Sequence, residues 1–511
     1  MAAVHISFGP QTPLTTSTHI RALSDLRASP VFDHLASSSS SSSFPSSSFS
    51  SGDGDGLGGD AVLGVVCPPG LAFSMTPGGN GDGDGGGGGN VALTTSREFA
   101  RHDVLLIETC ALSVQCDDFD EVAVDAQPEM LVANWDKQVY AYANADEETK
   151  QAVMNLFALD VTQLPGTYGK ALQEHIHVVA EKNGVSPEDA TRVVLKFVAN
   201  AVYKSNKVVL PLVSSRANHS CDANAVRVID FPKQGLVTLY ATEPLGEGDE
   251  VLVDYTAEVL WSRPRRIEWL RRTKCFDCTC RRCTRPDYEG ALVCPRCLPY
   301  DKRGGGFQLP HPLPPDVGCI VRDPPTSSCC HDDGEKKGEC HWTCGTCGLH
   351  ISETDLDVAL PAGPAKSVLK LEEYASSLAA EMDVATGTEV NVSSAKLRHV
   401  AQAACYTVGP HHWASHAMAV AIIRHASDAS VSEIAAMYKG VRTWLRQWAQ
   451  LRGGACRWIG HRALLKAADR MRDEGGPFLD DAREAYTDIA NNVPPFTELF
   501  RRAVAALEEM S

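Results

Sequence analysis

The chain has 511 residues, 43% of them hydrophobic, and a formal net charge of −17. The length predicts two to four domains, and the acidic balance argues against direct binding of nucleic acid. The longest apolar run, Ala417 to Ile423, is far too short to cross a membrane, so no membrane partner is expected. The N-terminus lacks a basic segment followed by an apolar core, which favours the cytoplasm, the nucleus or both over secretion.

The N-terminal part of the chain is of low complexity. Ser37 to Ser51 is almost entirely serine, and Gly78 to Gly89 is almost entirely glycine and aspartate. Neither tract can bury apolar surface, so residues 1–60 are predicted to be disordered and the glycine tract to be an insertion between strands. Strands are predicted within residues 61–115, at 61–66, 71–75, 91–95 and 103–108.

Residues 116–204 have a helical pattern. Ser186 is a suitable N-cap, Pro187 suits the first helical position, and Asp189 supplies an acid in the first turn. The apolar residues that follow predict one buried face, and the helix is expected to end at Asn200. This segment therefore predicts a helical insert.

Three short motifs follow, in residues 205–283. They are RANHSCDAN at 216–224, the GEGDE turn at 246–250 with Tyr255 after it, and FDCTCRRC at 276–283. In this order they resemble the C-terminal half of a SET domain (205–260) and its post-SET zinc knuckle (261–290), in the form found in SMYD protein lysine methyltransferases. The zinc-binding MYND module of that family is absent, since no cysteine lies between Cys116 and Cys221.

The resemblance implies methyl transfer from S-adenosylmethionine to a lysine side chain of a protein substrate, histone or otherwise. It implies that Tyr255 is the catalytic tyrosine and also contacts the cofactor. The remaining cofactor-binding residues implied by the family are Asn200, Asn218, His219 and Phe276. Such a reaction needs a neutral amine held in line with the methyl group, which a tyrosine hydroxyl can align without adding a full charge.

One position departs from the family pattern. In the family, a Gly-x-Gly cofactor loop precedes the strand that leads to Arg97. The ungapped alignment places Ala92 at the second glycine of this loop, and a shift by one residue uses Gly89-Asn90 instead. A Cβ atom there would crowd the carboxylate of the cofactor. The alternative function is therefore a catalytically inactive, zinc-stabilised interaction scaffold, which cofactor binding would distinguish from an enzyme.

The cysteines are concentrated in one region. Twelve of the 18 lie between Cys275 and Cys347, many in closely spaced pairs, which without an export signal predict zinc sites rather than disulfides. The family resemblance assigns one structural zinc to Cys221, Cys278, Cys280 and Cys283. Two further knuckles predict a zinc-ribbon-like segment at 291–350, with the ligands Cys294, Cys297, Cys344 and Cys347. The irregularly spaced residues from Cys319 to His341 leave a third metal site open.

A basic band interrupts the acidic sequence between residues 263 and 282. It has two interpretations, a solvated face or a docking surface for an acidic protein or nucleic acid. Its members are Arg263, Arg265, Arg266, Arg271, Arg272, Lys274, Arg281 and Arg282.

The last part, residues 351–511, has apolar residues at helical spacing. The stripes are Leu371, Ala375, Leu378 and Met382; Leu479, Ala482, Tyr486 and Ile489; and Leu499, Ala503 and Leu507. They resemble the TPR-like C-terminal domain of SMYD proteins, and a plain helical domain explains them equally well. The predicted fold is α+β: a β-rich SET core with a helical insert, a post-SET zinc knuckle, a zinc-ribbon-like segment and an α-helical, TPR-like C-terminal domain.

Overall fold

The computed structural model describes most of the chain from residue 65 onward. The described residues are 65–66, 71–75, 91–115, 128–164, 166–204, 207–230, 236–256, 261–299, 318–324, 341–359, 372–373, 375, 394–426, 428–445, 455–494 and 497–511. The serine-rich N-terminus, the glycine tract and most of the first C-terminal stripe lie outside these residues. No helix within them is long and apolar enough to span a membrane.

The strands of the N-terminal half form several small sheets. They are β1 (Val65–Val66), β2 (Leu71–Met75), β3 (Val91–Thr95), β4 (Val104–Thr109), β5 (Leu112–Gln115), β6 (Val202–Lys204), β7 (Lys207–Leu210), β8 (Asn218–His219), β9 (Ala225–Asp230), β10 (Leu236–Ala241) and β11 (Leu252–Val253). An antiparallel sheet has the order β1-β4-β10-β9, a second has the order β5-β7-β6, β2 and β3 form a hairpin, and β8 pairs with β11 in parallel. The strands predicted at 71–75 and 91–95 are confirmed at those bounds.

The helical insert has its own core. Its helices are α1 (Pro128–Ala143), α2 (Glu147–Met154), α3 (Gly166–Asn183) and α4 (Pro187–Asn200). The predicted start of α4 is confirmed, because the Ser186 side chain accepts the backbone N–H of Asp189 at 3.0 Å. Trp135, Leu172 and Phe197 are fully buried between the helices. The insert thus places the C-terminus of α4, at Asn200, beside the strands that follow it.

Two helices and a four-stranded sheet connect the two halves of the chain. Helix α5 (Arg263–Lys274) ends at Cys275, in the left-handed conformation with φ 60°, and the short α6 (Arg281–Thr284) follows. An antiparallel sheet comes next in sequence order, with β12 (Asp287–Val293), β13 (Cys319–Arg322), β14 (His341–Cys344) and β15 (His350–Ser352), followed by α7 (Glu353–Ala359). Strand β12 begins within the segment that the sequence assigned to the knuckle.

The C-terminal region is helical, as the apolar stripes predicted. Its helices are α8 (Ser394–Thr407), α9 (Trp413–His425), α10 (Val431–Thr443), α11 (Ala455–Glu474), α12 (Leu479–Asn492) and α13 (Glu498–Glu509). Tyr486 and Ile489 are fully buried in the shared core, whereas Leu479 at the start of that stripe is 39% exposed. Gly409 packs so closely on β12 that a Cβ atom there would lie 2.3 Å from Val293 Cγ2, and this contact joins the helices to the sheet.

Candidate active site and zinc centres

Parallel pairing of β8 with β11 brings two of the predicted motifs together. Asn218 lies opposite Leu252 and His219 opposite Val253. The backbone N–H of Ser220 donates to the Val253 carbonyl at 3.0 Å, which extends the pairing by one residue. The strand end after Val253 therefore delivers Tyr255 to the side chain of His219.

His219 is held by hydrogen bonds on both ring nitrogens. Nδ1 accepts the backbone N–H of Tyr255 at 3.0 Å, and Nε2 lies 3.2 Å from Cys221 Sγ. Because Nδ1 acts as acceptor, a neutral ring carries its proton on Nε2 and donates it to the cysteine sulfur. The ring thus connects the tyrosine to the cysteine cluster.

The Tyr255 hydroxyl donates to the Ala217 carbonyl at 2.6 Å. Burial raises the pKa of this phenol; the charge of Arg227 works in the opposite direction and that of Glu250 in the same direction. The hydroxyl is therefore protonated at neutral pH. A hydroxyl that already donates its proton keeps only acceptor capacity toward any other group.

Asn218 is oriented by a residue that the sequence did not single out. Its Nδ2 donates to Glu250 Oε1 at 2.6 Å. Asn224 holds the same strand by accepting from the Leu252 N–H at 2.8 Å and donating to the Glu250 carbonyl at 2.8 Å. The role of Glu250 had a weak signal in the sequence, its place at the end of the GEGDE turn.

Phe276 and Asn200, the two outer residues of the predicted cofactor site, lie differently. The half-buried ring of Phe276 has its centroid 5.7 Å from that of His219. The Asn200 amide instead donates to the carbonyls of Phe157 at 2.7 Å and Lys196 at 2.9 Å. Both of its amide hydrogens are thus used within the insert, which leaves Oδ1 as its hydrogen-bonding atom for a ligand.

Helix α5 closes this side of the site. Lys274 Nζ donates to the Val198 carbonyl at 3.0 Å and lies 5.8 Å from the centroid of the Tyr255 ring. The end of α4, the end of α5 and the catalytic-tyrosine candidate are therefore neighbours. Ala92, which the ungapped alignment placed at a glycine of the family pattern, is fully buried in β3 opposite Ser74.

The first predicted cysteine set forms one cluster. The sulfurs of Cys221, Cys278, Cys280 and Cys283 all lie within 4.8 Å of one another. Cys221 Sγ is 3.5 Å from Cys283 Sγ and 3.9 Å from Cys278 Sγ. Four sulfurs at about 2.3 Å from a tetrahedral zinc would be about 3.8 Å apart, so this cluster fits a zinc ion.

The second predicted set forms a cluster as well. Cys294, Cys297, Cys344 and Cys347 have their sulfurs within 4.8 Å of one another, at the ends of β12 and β14. Sulfur distances are 3.5 Å from Cys294 to Cys347 and 3.9 Å from Cys297 to Cys344. The third possible site, between Cys319 and His341, lies mainly outside the described residues.

Part of the basic band is internal, which neither interpretation of the sequence had considered. Arg266 and Arg282 are fully buried against the first cysteine cluster, and Arg263 is 5% exposed. Arg282 donates to the Cys221 carbonyl at 3.1 Å and to Glu289 Oε1 at 3.0 Å. The solvated-face and docking-surface interpretations are thus wrong for these three arginines.

The buried arginines have an electrostatic role. Four thiolates around one Zn²⁺ leave two uncompensated negative charges, which are costly to bury. Burial by itself would lower the pKa of Arg266, yet Glu289, Cys221 and Cys283 raise it well above its usual value. Burial likewise opposes ionisation of Glu289, but the surrounding arginines, Arg282 foremost, hold its pKa at about 2. The guanidinium groups therefore remain charged beside the sulfurs.

Comparison with known proteins identifies the domain that contains most of these residues. Residues 91–256 match the family model of the SET domain. A SET domain-containing protein of Dictyostelium discoideum is 35% identical over 69 residues, which cover 14% of this chain and only 16% of that protein.

Two solved structures are also similar in part. The SET domain of LSMT bound to lysine and AdoHcy aligns with 86% of this chain and 88% of that one, at 12% identity and a TM-score of 0.28. Rubisco LSMT bound to sinefungin and monomethyllysine aligns with 86% and 89%, at 12% identity and a TM-score of 0.24. TM-scores this low do not establish a shared fold over the whole chain. The domain match stands by itself: the protein contains a SET domain over residues 91–256.

Proposed function

We propose that this protein transfers a methyl group from S-adenosylmethionine to the lysine side chain of a protein substrate. The observation that carries the proposal is the buried hydroxyl of Tyr255, fixed by Ala217 and placed beside the paired Asn218-His219 strand and Phe276. These residues lie in or next to the segment that matches the SET domain.

The residues present fit an adenosyl cofactor. Phe276 offers a half-buried aromatic face on which an adenine can stack, beside the ring of His219. Asp254 Oδ2 is buried and has no hydrogen-bond partner among the described residues, so an acceptor is available next to His219. When bound, S-adenosylmethionine supplies an electrophilic methyl group, which lets the reaction proceed without a catalytic metal.

Tyr255 is assigned the alignment of the acceptor amine. Its proton is committed to Ala217, so its oxygen can only accept a hydrogen bond from the incoming amine. An amine that donates to this oxygen has its lone pair directed away from the tyrosine and free for attack. Since a protonated lysine has no lone pair, burial around the Tyr255 hydroxyl also favours the reactive, neutral form.

The finer assignment is to the SMYD type without a MYND module. In this assignment Cys221, Cys278, Cys280 and Cys283 hold the zinc of a post-SET knuckle, and the second cluster holds a zinc-ribbon-like site. The C-terminal helices correspond to the TPR-like domain of that family. The substrate is a histone or another protein.

A second candidate function is an inactive interaction scaffold. Ala92 favours it in the ungapped alignment, where this fully buried residue adds a Cβ at the second glycine of the family's cofactor loop. The zinc clusters would be retained for stability under both proposals.

Calorimetric titration with S-adenosylmethionine separates the two candidates. Binding, followed by transfer of a radiolabelled methyl group to a lysine-containing peptide library, is expected for the enzyme. If the folded, zinc-loaded protein binds no cofactor, the methyltransferase proposal is wrong and the scaffold proposal is favoured. Ala92→Gly serves as a diagnostic variant, because a gain of cofactor binding in it alone would identify the Cβ as the obstacle.

A further inference from the structure

A buried clamp fixes the turn that carries the acceptor of the Tyr255 hydroxyl. The carboxylate of Glu108, on β4, accepts the backbone N–H groups of Leu212, Val213 and Ser214 at 3.1, 2.9 and 2.6 Å. Both Glu108 and Ser214 are fully buried. A carboxylate that satisfies three backbone donors in the interior fixes their positions firmly, because each unpaired donor would be costly there.

The same turn is held from its other side by Arg227, on β9. Its Nη2 donates to the Ser214 carbonyl at 2.7 Å, and that carbonyl also accepts the N–H of Ala217 at 3.2 Å. The peptide group before Ser214 is thus hydrogen-bonded to Glu108 on β4, and the peptide group after it to Arg227 on β9. Sequence analysis identified neither side chain as a site residue.

Ala217 connects this fixed turn to the Tyr255 hydroxyl. It directly follows the short 3₁₀ turn Ser214–Arg216, and its carbonyl accepts the Tyr255 hydroxyl at 2.6 Å. A displaced Ala217 carbonyl would free the hydroxyl to rotate, and the amine would then meet a donor instead of an acceptor. The direction of the hydroxyl therefore depends on Glu108 and Arg227.

We infer that Glu108 and Arg227 are positioning residues that orient the Tyr255 hydroxyl through the 212–217 turn. The inference rests on the proposed function and assigns two further residues to it. Neither residue has a described contact with a cysteine of the zinc clusters. Both hold the turn, and Arg227 in addition acts on the Tyr255 phenol through its charge, which Arg227→Lys preserves.

A double-mutant cycle tests the clamp through catalysis. Arg227→Met keeps an unbranched stem but removes the guanidinium donor, and Arg227→Lys restores a charged donor. Arg227→Met is expected to lower kcat on the order of tenfold in the wild-type background, with a small change in KM for the cofactor, and to have less than about a twofold effect in the Tyr255→Phe background. Arg227→Lys should recover part of the loss. Equal losses in both backgrounds would show a merely structural role and overturn the inference.

A second readout does not depend on activity. The ¹³Cζ resonance of Tyr255, assigned with Tyr255→Phe in tyrosine-labelled full-length protein, reports on its hydroxyl hydrogen bond. It should move in Arg227→Met and return toward its wild-type position in Arg227→Lys; an unchanged resonance would contradict the clamp. If Arg227→Met does not fold, Glu108→Gln, which keeps the shape of the side chain but has only one acceptor oxygen for the three backbone N–H groups, replaces it in both experiments. If the wild-type protein neither binds cofactor nor transfers methyl groups, the proposed function fails, while the resonance still decides the clamp.

Discussion

At the scale of single residues, the proposed chemistry depends on the side chain of Tyr255 and on the groups that hold it. The ring of Tyr255 packs against the first cysteine cluster and against the core of the SET strands, and its hydroxyl is the only polar group of the side chain. Because the hydroxyl donates its hydrogen to the Ala217 carbonyl, its oxygen faces any incoming amine as a hydrogen-bond acceptor. His219 fixes the backbone of Tyr255, because its Nδ1 accepts the Tyr255 N–H.

Tyr255→Phe should separate the alignment of the amine from the packing of the ring. We expect unchanged zinc content and cofactor affinity, and a fall in turnover of at least about a hundredfold, because a positioning group is lost at the reacting centre. Radiometric methyl transfer measures the turnover and calorimetry the affinity. Tyr142→Phe, at a buried tyrosine of the insert, is the matched control and should retain full activity. Full activity in Tyr255→Phe would remove Tyr255 from the mechanism.

Elements carry the zinc ligands into place. Cys221 follows β8, whereas the other three cysteines of its cluster follow α5, so a zinc ion bound there would join β8 to the segment that carries Phe276. The cluster excludes Cys275, the half-buried residue that ends α5, and this makes Cys275 a natural control.

Cys278→Ser is expected to lower the zinc content from two ions to about one per chain, because three thiolates do not complete a tetrahedral site. Cofactor binding should be lost with it, since the Phe276 segment is no longer fixed to β8. Cys275→Ser should retain both ions and bind cofactor normally. Elemental analysis of the two variants checks the assignment; equal zinc in both would refute it.

Helix α9 gives the C-terminal domain a dependence on pH. His416 is buried, its Nε2 lies 2.7 Å from the Pro410 carbonyl, and its ring stacks on Trp444 with centroids 4.3 Å apart. Burial lowers its pKa to about 3, the hydrogen bond to Pro410 works in the opposite direction, and His411 and His412 lower it further. The native state therefore favours the neutral ring.

The contribution of His416 to stability should be complete above its unfolded pKa of about 6.5 and should decrease as the pH falls toward 3. The free energy of unfolding is expected to fall by about 1.4 kcal/mol per pH unit from this group in that range. Urea unfolding at several pH values measures it. In His416→Gln, which keeps an N–H donor without a titration, the curve should be flatter. Parallel curves for the two proteins would contradict the assignment.

At the scale of the whole molecule, the two cysteine clusters differ in accessibility. In the first, three of the four cysteines are buried, with arginines around them; in the second, Cys297 and Cys347 are partly exposed. Zinc bound at the two clusters is therefore expected to be removed by a chelator at different rates.

Graded chelation should release zinc in two phases. The fast phase is expected from the second cluster and should leave cofactor binding intact, because that cluster lies on the β12–β15 sheet. The slow phase should abolish cofactor binding and lower the melting temperature, since the binding free energy of a structural zinc is folding free energy. A colorimetric zinc assay followed by calorimetry distinguishes the phases. Loss of cofactor binding in the fast phase would assign the exposed cluster to the active site instead.

The sequence by itself determined the features that depend on short stretches of chain. The hairpin strands at 71–75 and 91–95 and the start of helix α4 at Pro187 follow from alternation and capping, which act between near neighbours. The cysteine pairs within each knuckle follow from local spacing as well, whereas Cys221, 57 residues before Cys278, was assigned to the first cluster by the family resemblance.

Only the tertiary structure decided which charged residues are internal. Arg266 and Arg282 have the same sequence signature as exposed members of their band, and burial against sulfur distinguishes them. Glu108 meets Ser214 across 106 residues, and Arg282 meets Cys221 across 61. A carboxylate or guanidinium is costly to bury without a partner, and its partner is set by strand pairing and helix packing rather than by its neighbours in the chain.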